Sequence, residues 1–272
     1  MATYFVISDI HSFYNEMIDA LNKAGYNKEN KNHVLINCGD LLDRGPDAVK
    51  CLQFINSIPE SNRVLIRGNH EYLIEDCLSR GYFQSHDYHN MTNDTIHQIS
   101  NIEDEYKAIE NCRENFLLQN YLQSCIDCFE TKSHIFVHGW IPCRHDTKWE
   151  FDVEWFNGNW YDASWICCFD AWANGIMVHD KTIVAGHWHT SYGHSKYHNK
   201  GTEWDDEWAI IWEKFYPAPK IRTACFDIFK DVGIIGLDAC TVYSGKVNVL
   251  KIGKQKPLTN LIIHDNQMEI EM

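Results

Sequence analysis

The stretch His33-Val34-Leu35-Ile36-Asn37-Cys38-Gly39-Asp40-Leu41-Leu42-Asp43-Arg44-Gly45 decides the fold. Its first half is a short, nearly continuous apolar run, as expected of a strand buried on both faces. Its second half abruptly becomes Gly-Asp-x-x-Asp-Arg-Gly, which puts two carboxylates and a guanidinium just past the end of that strand. Five fixed positions in seven residues arise by chance in one chain on the order of 1 in 10,000 times. A structural turn is therefore a poor explanation of the segment.

The same arrangement recurs on either side. Residues 3–8 are apolar and β-prone and run into Asp9-Ile10-His11. Residues 63–66 run into Arg67-Gly68-Asn69-His70-Glu71, residues 133–137 into His138-Gly139, and residues 181–185 into Gly186-His187-Trp188-His189. Between the first three strands, residues 12–24 and 46–57 carry apolar positions at helical spacing, and a third helix is expected over 69–80. Strand alternating with helix implies a parallel sheet covered by helices, and ligands of such sheets sit at the carboxyl ends of the strands. Taken singly the motifs have ordinary readings: a surface turn for Asp-x-His, and a helix N-cap for Asn69. Together they bring Asp9, His11, Asp40, Asn69, His138, His187 and His189 toward one edge.

That set offers imidazole nitrogens and carboxylate or amide oxygens, with no thiolate. It suits Mn, Fe, Zn or Co better than Ca. Seven side chains exceed what one octahedral ion that also holds water can use. Two ions sharing a carboxylate account for the number, and a pair about 3.5–4 Å apart clamps the attacking and leaving oxygens of a phosphoryl displacement. Arg44 and Arg67 lie beside these motifs, and guanidinium forks match phosphate oxygens.

In this order the motifs resemble those of the calcineurin-like metallophosphoesterases, and the two arginines make the chain similar to the bacterial and phage serine/threonine phosphoprotein phosphatase branch. The resemblance spans roughly residues 3–252 and implies an α/β fold, an αββα sandwich with a dimetal site at one edge. It implies that Asp9, His11 and Asp40 hold the first metal. Asp40 would bridge to a second completed by Asn69, His138 and His187. His70 would be the general acid, oriented by Asp43, with Arg44 and Arg67 on the phosphate and a metal-bound hydroxide as nucleophile. His189 is assigned to the first metal from the wider superfamily; the competing reading is a histidine behind the ligands. Arg144 is the candidate third phosphate-binding arginine, against a plain surface residue. The expected cofactors are two divalent ions, manganese first. The expected substrate is a phosphoprotein or a nucleotide: a phosphomonoester, alternatively a dinucleoside polyphosphate or phosphodiester. A metal-free protein-binding scaffold is the remote alternative, disfavoured because no core ligand is missing.

Composition bounds the rest. At 272 residues, 44% apolar and 23% charged, the chain reads as one globular domain with insertions. The net charge of −14 disfavours extended nucleic-acid binding. No apolar run is long enough for a membrane span, and eleven cysteines without a signal peptide suggest free thiols in the cytoplasm. Residues 82–130 read as a helical insertion without strands, Cys125 and Cys128 being buried thiols within it. All ten tryptophans fall between Trp140 and Trp212, in connections 140–180 and 190–222 read as loop or cap insertions. Within the second, Trp204, Trp208, Trp212 and Phe215 form a helical stripe, and His194 and His198 read as solvated loop histidines. Strands are expected over 232–238 and 246–252, joined by a hairpin turn at 243–246, and a short one over 259–263.

Overall fold

The computed structural model describes residues 1–201, 224–255 and 262–264. Two sheets form its centre. The first is built from β1 (Ala2–Ile7), β2 (His33–Asn37), β3 (Arg63–Ile66) and β4 (Cys125–Ile126), mutually parallel, with β10 (Leu250–Gln255) antiparallel to β1 at the edge. In the second, β6 (His134–Phe136), β7 (Thr182–Ala185) and β9 (Ile234–Gly236) run parallel. On one side β5 (Cys128–Glu130) pairs antiparallel with β6 and β11 (Ile262–His264) antiparallel with β5; on the other β8 (Phe229–Asp231) pairs antiparallel with β9.

Alternation along the strands explains the layering. Successive side chains point to opposite faces of a sheet. Tyr4, Val6, Val34, Ile36, Val64 and Ile66 meet Phe129, Phe136 and Val184 in a single cluster between the two sheets. The intervening Phe5, Ile7, Leu35 and Leu65 face the other way. They pack under α1 (Tyr14–Ala24), α2 (Ala48–Asn56) and α3 (Asn69–Arg80) through Met17, Leu21, Leu52, Ile55 and Ile74. On the far side Ile135, Val137 and Ile183 pack under Trp140, Trp155, Trp160 and Phe169. The result is helix, sheet, sheet, helix. Each aliphatic side chain buried completely in these clusters contributes roughly 1.5–3 kcal/mol, before the entropy of ordering the chain is set against it.

The insertions take part in this packing. The 82–130 segment supplies α4 (Ser85–His89), α5 (Thr92–Ser100), α6 (Glu105–Glu114) and α7 (Phe116–Gln123), whose Ile96, Ile109, Cys112, Leu118 and Tyr121 join the first helical layer. It is not wholly helical, however. Cys125 and Cys128 lie in β4 and β5, strands of two and three residues, too short to show a period of two. Both are buried free thiols, as are Cys38, Cys51, Cys77, Cys112 and Cys168.

The 140–180 connection carries α8 (Trp160–Ala163) and α9 (Cys168–Ala173), and several of its tryptophans are core residues of the second helical layer. The Trp204–Phe215 stripe lies outside the described residues.

The expected hairpin at 243–246 is absent. β9 and β10 belong to different sheets, and Thr241–Ser244 is a short helix in the chain that crosses between them. Thr241 makes that crossing specific, donating from Oγ1 to the Asp9 carbonyl at 3.1 Å. His194 and His198 also differ from expectation, lying on α10 (Thr190–His198), with His194 buried. No helix among the described residues is long and apolar enough to cross a membrane.

Candidate dimetal site

The carboxyl ends of β1, β2, β3, β6 and β7 do converge. Each strand ends in a turn that carries a polar side chain, and the turns after β1, β2 and β7 use an uncommon backbone. Asp9, His11, Ser12, Asp40, Asp43, Arg44 and His187 all have φ between 49° and 69°. Asp and His tolerate this left-handed region better than most residues, yet each instance outside glycine costs about 1–3 kcal/mol. Hydrogen bonds hold the turns there: Asp9 N donates to Gly39 O (3.1 Å), His11 N to Asp40 O (3.0 Å) and Ser12 N to Leu41 O (2.8 Å).

Asp40 is the centre. Its carboxylate Oδ2 lies 3.3 Å from His138 Nε2, 3.8 Å from His11 Nε2 and 4.0 Å from His70 Nε2. Two trios of donor atoms share it: Asp40 with His11 and His70, and Asp40 with His138 and His187. The rings are aimed from behind. His11 Nδ1 bonds the Leu42 carbonyl (3.1 Å) and His138 Nδ1 the Cys38 carbonyl (2.8 Å). Each ring thereby turns Nε2 inward, the usual way an outer hydrogen bond fixes the tautomer of a ligating histidine. Asn69 Oδ1 sits 2.8 Å from His138 Nε2. Asp9 is buried on the other flank, its carboxylate receiving the His187 N–H at 3.0 Å and the Ser8 hydroxyl.

The electrostatics of this cluster are those of a site built for cations. Burial pushes the Asp9 carboxyl up to about 6, and the neighbouring Asp40 charge adds to the push. Burial opposes a charge on His138 too, but the Asp40 and Asp9 carboxylates outweigh it and raise the ring to about 10. Burial also opposes ionisation of Asp40, and His138, His70 and His11 together hold its carboxyl well below the ordinary range. Burial and the His138 charge lower His187 to about 3, leaving a neutral donor nitrogen. Two buried carboxylates faced by oriented imidazoles suit a pair of divalent transition metals in donor type and charge.

Two glycines make the close approach feasible. A Cβ on Gly68 would overlap Asp40 Oδ1, and one on Gly186 would overlap Ser8 Oγ and Asp9 Oδ2. Gly186→Ala should therefore displace Asp9 and lower kcat/KM about 100-fold, the scale of a misplacement near 1 Å. Far-ultraviolet circular dichroism should remain native. Wild-type kinetics in a folded variant would show that Asp9 does not need this position.

His70 occupies a distinct place. Its Nδ1 is 2.7 Å from Asp43 Oδ2, an oxygen that also accepts from Thr92 Oγ1 at 2.8 Å. Its Nε2 is 3.2 Å from Arg44 Nη2. The other Asp43 oxygen is buried and has no hydrogen-bond partner among the described residues. The remaining expected residues make other contacts in this structure. The Arg67 guanidinium contacts Glu75 (3.6 Å), the carbonyls of Leu122 and Cys125 (3.4 Å each) and the Tyr72 ring. Arg144 is exposed and pairs through its backbone with Glu150. His189 caps α10: its Nδ1 accepts from Tyr192 N (3.3 Å) and meets Ser191 Oγ (2.8 Å), and it belongs to neither trio.

One organising residue carries no role in the sequence reading. Glu71 is fully buried and accepts four hydrogen bonds: from Gly68 N (2.8 Å), Asp40 N (2.9 Å), Leu41 N (3.1 Å) and Tyr121 OH (2.7 Å). It locks the β2 turn to the β3 turn and both to the helical insertion. Its position three residues after Gly68, the helix N-cap, is the capping-box spacing and was the available signal.

Residues 2–221 match the family described as calcineurin-like phosphoesterase. The chain belongs to that family. Stretches of this calcineurin-like phosphoesterase domain are similar to curated bacterial enzymes. One of 74 residues is 38% identical to the asymmetrical bis(5'-nucleosyl)-tetraphosphatase PrpE of Bacillus subtilis (strain 168), covering 25% of this chain and 30% of the relative. One of 73 residues is 33% identical to serine/threonine-protein phosphatase 1 of Salmonella typhimurium, covering 27% and 32%. One of 146 residues is 31% identical to the symmetrical bis(5'-nucleosyl)-tetraphosphatase of Proteus mirabilis, covering 54% and 47%. Each match spans less than half of the relative's own length. Among solved structures, a cold-active protein tyrosine phosphatase aligns with a TM-score of 0.47 at 13% identity, over 92% of this chain and 73% of that one.

Proposed function

We propose that the protein is a metal-dependent phosphoric ester hydrolase acting on phosphomonoesters, of the serine/threonine phosphatase type. The observation that supports it most is Asp40, a single buried carboxylate shared by two donor trios. In this reading Asp9, His11 and Asp40 hold one divalent ion, and Asp40, Asn69, His138 and His187 the other, with manganese the first candidate. His189 is assigned to the first ion as an addition. When bound, the ions neutralise phosphate charge and activate water.

The chain's own groups do the rest. Arg44, whose Nη2 lies 3.2 Å from His70 Nε2, takes a phosphate oxygen in this reading, and Arg67 and Arg144 are the further candidates. Phosphate drawing Arg44 away leaves Nε2 free to carry a proton. Asp43 holds Nδ1–H and so balances the charge of a doubly protonated ring, which can then donate from Nε2 to the leaving oxygen.

A second reading, hydrolysis of dinucleoside polyphosphates or phosphodiesters, is favoured by Trp165. This side chain is 41% exposed and stands edge-on to the His187 ring at 5.8 Å, an available stacking surface beside the site. A panel of phosphopeptides, mononucleotides, dinucleoside polyphosphates and phosphodiesters, assayed on one manganese-loaded preparation, separates the two. The proposal expects phosphomonoesters to have the highest kcat/KM. Preference for a dinucleoside polyphosphate would give the second reading, and hydrolysis of none of them would remove both.

A further inference from the structure

Away from the site just described, α10 carries His194 and His198, four residues apart and so on one helix face. Their contacts are unusual. His194 Nε2 lies 2.9 Å from the Asp227 carbonyl oxygen, and His198 Nε2 lies 3.4 Å from Asp231 Oδ2. Among the described residues only accepting oxygens face these two nitrogens, so each Nε2 is the protonated, donating nitrogen of its ring. The two Nδ1 atoms face each other across 3.1 Å, and each offers a lone pair unless one ring carries a second proton. Two lone pairs at that distance repel unless a cation lies between them.

The geometry points to a second metal-binding locus here: His194 Nδ1 and His198 Nδ1 chelate one divalent transition metal of the zinc, copper or nickel class. Zinc–imidazole bonds of 2.0–2.1 Å, meeting at between a right angle and the tetrahedral angle, separate the nitrogens by roughly 2.8–3.4 Å, which brackets the observed spacing. The outer contacts have the form that fixes ligating histidines elsewhere, a ring N–H given to a carbonyl or a carboxylate. They repeat the pattern of His11 and His138, with the ring nitrogens exchanged. Phe229 braces the pair, stacked on His198 at 4.1 Å between centroids and tilted against His194 at 5.3 Å. Burial lowers the His194 pKa, which keeps its nitrogen free for a metal at neutral pH. The His198 side chain is partly exposed, so solvent can complete the coordination. Such an ion fixes both rings on α10 in the orientation from which their Nε2 atoms reach Asp227 and Asp231, where the chain returns. Lys200 and Asp227, 4.0 Å apart, add a weak ion pair at the same return.

The test is a count of zinc ions on metal-stripped protein, for wild type and for a His194→Gln/His198→Gln double variant. The wild type should hold one zinc per chain more than the variant. The manganese-dependent rate of the two should agree, which shows that the variant is folded. Nitrogen-15 spectra of the wild-type histidines serve as a second readout that needs no variant. Zinc should shift both Nδ1 resonances while both Nε2 nitrogens stay protonated. Equal zinc counts, or Nδ1 resonances that respond to pH and not to zinc, would overturn the proposal and leave a shared proton as the cation between the rings.

Discussion

Asp40→Asn should lose about 10²- to 10⁴-fold in turnover and at least one bound ion per chain. The expectation follows from the position of a single oxygen. Asp40 Oδ2 faces His138, His11 and His70, and the carboxylate is common to both donor trios. Asparagine keeps the shape and removes the charge. A metal's stabilisation of a developing phosphoryl charge is worth several kcal/mol, and each 1.36 kcal/mol is tenfold in rate. The Asp40 Oδ1 contact with the His70 backbone N–H, 3.0 Å long, survives in the amide if its oxygen takes that side. The β3 turn should thus hold, and a loss of activity can be read as a loss of metal. Metal analysis by mass spectrometry alongside steady-state kinetics checks it. Two ions and full activity in the variant would mean that Asp40 bridges nothing.

His70→Asn should reduce turnover by about 100- to 10,000-fold, the range that general acid–base catalysis supplies. The structure gives His70 two competing employments. It stands in the trio with His11 and Asp40, yet its Nδ1 is tied to Asp43 at 2.7 Å and its Nε2 faces Arg44. An acid and a ligand differ in what their loss does. Removing an acid should spare the metal content and hurt least for aryl phosphates, whose leaving oxygens need little protonation. Removing a ligand should cost an ion and slow all substrates alike. A series of phosphate esters graded by leaving-group pKa, assayed with metal analysis, distinguishes them. A uniform loss accompanied by metal loss would transfer His70 from the acid's role to a ligand's.

These expectations rest on features that the sequence displays unevenly. Asp9, Asp40, Asn69, His138 and His187 were legible because each follows an apolar strand directly, and topology alone sends such residues to one edge. A parallel sheet covered by helices was legible from the buried runs, and the two-sheet, two-helical-layer order only from the resemblance that the motifs carry. Three things were not. The direction of a long side chain is one: Arg67 follows β3 as expected, but its guanidinium is taken up by Glu75 and by carbonyls of the helical insertion, which no local spacing reports. Short strands are another. β4 and β5 gain their hydrogen bonds from β3 and β6 rather than from any pattern of their own. The third is burial of polar groups through tertiary contact. Glu71 looks like an ordinary helix-surface residue and His194 like a solvated loop histidine until Tyr121 and Phe229 close over them. The tryptophans show the converse: a concentration that suggested lids supplies much of the second helical layer, and Trp165 is left exposed beside His187.

The central claim, two ions held through one shared carboxylate, is tested most directly by titrating metal-stripped protein with Mn²⁺. Bound ions should be counted on the same samples in which hydrolysis of an aryl phosphate is followed. Activity should be absent at the start and rise to its plateau only as the second equivalent per chain is filled. A plateau reached with one equivalent, or hydrolysis by the stripped protein, would contradict it.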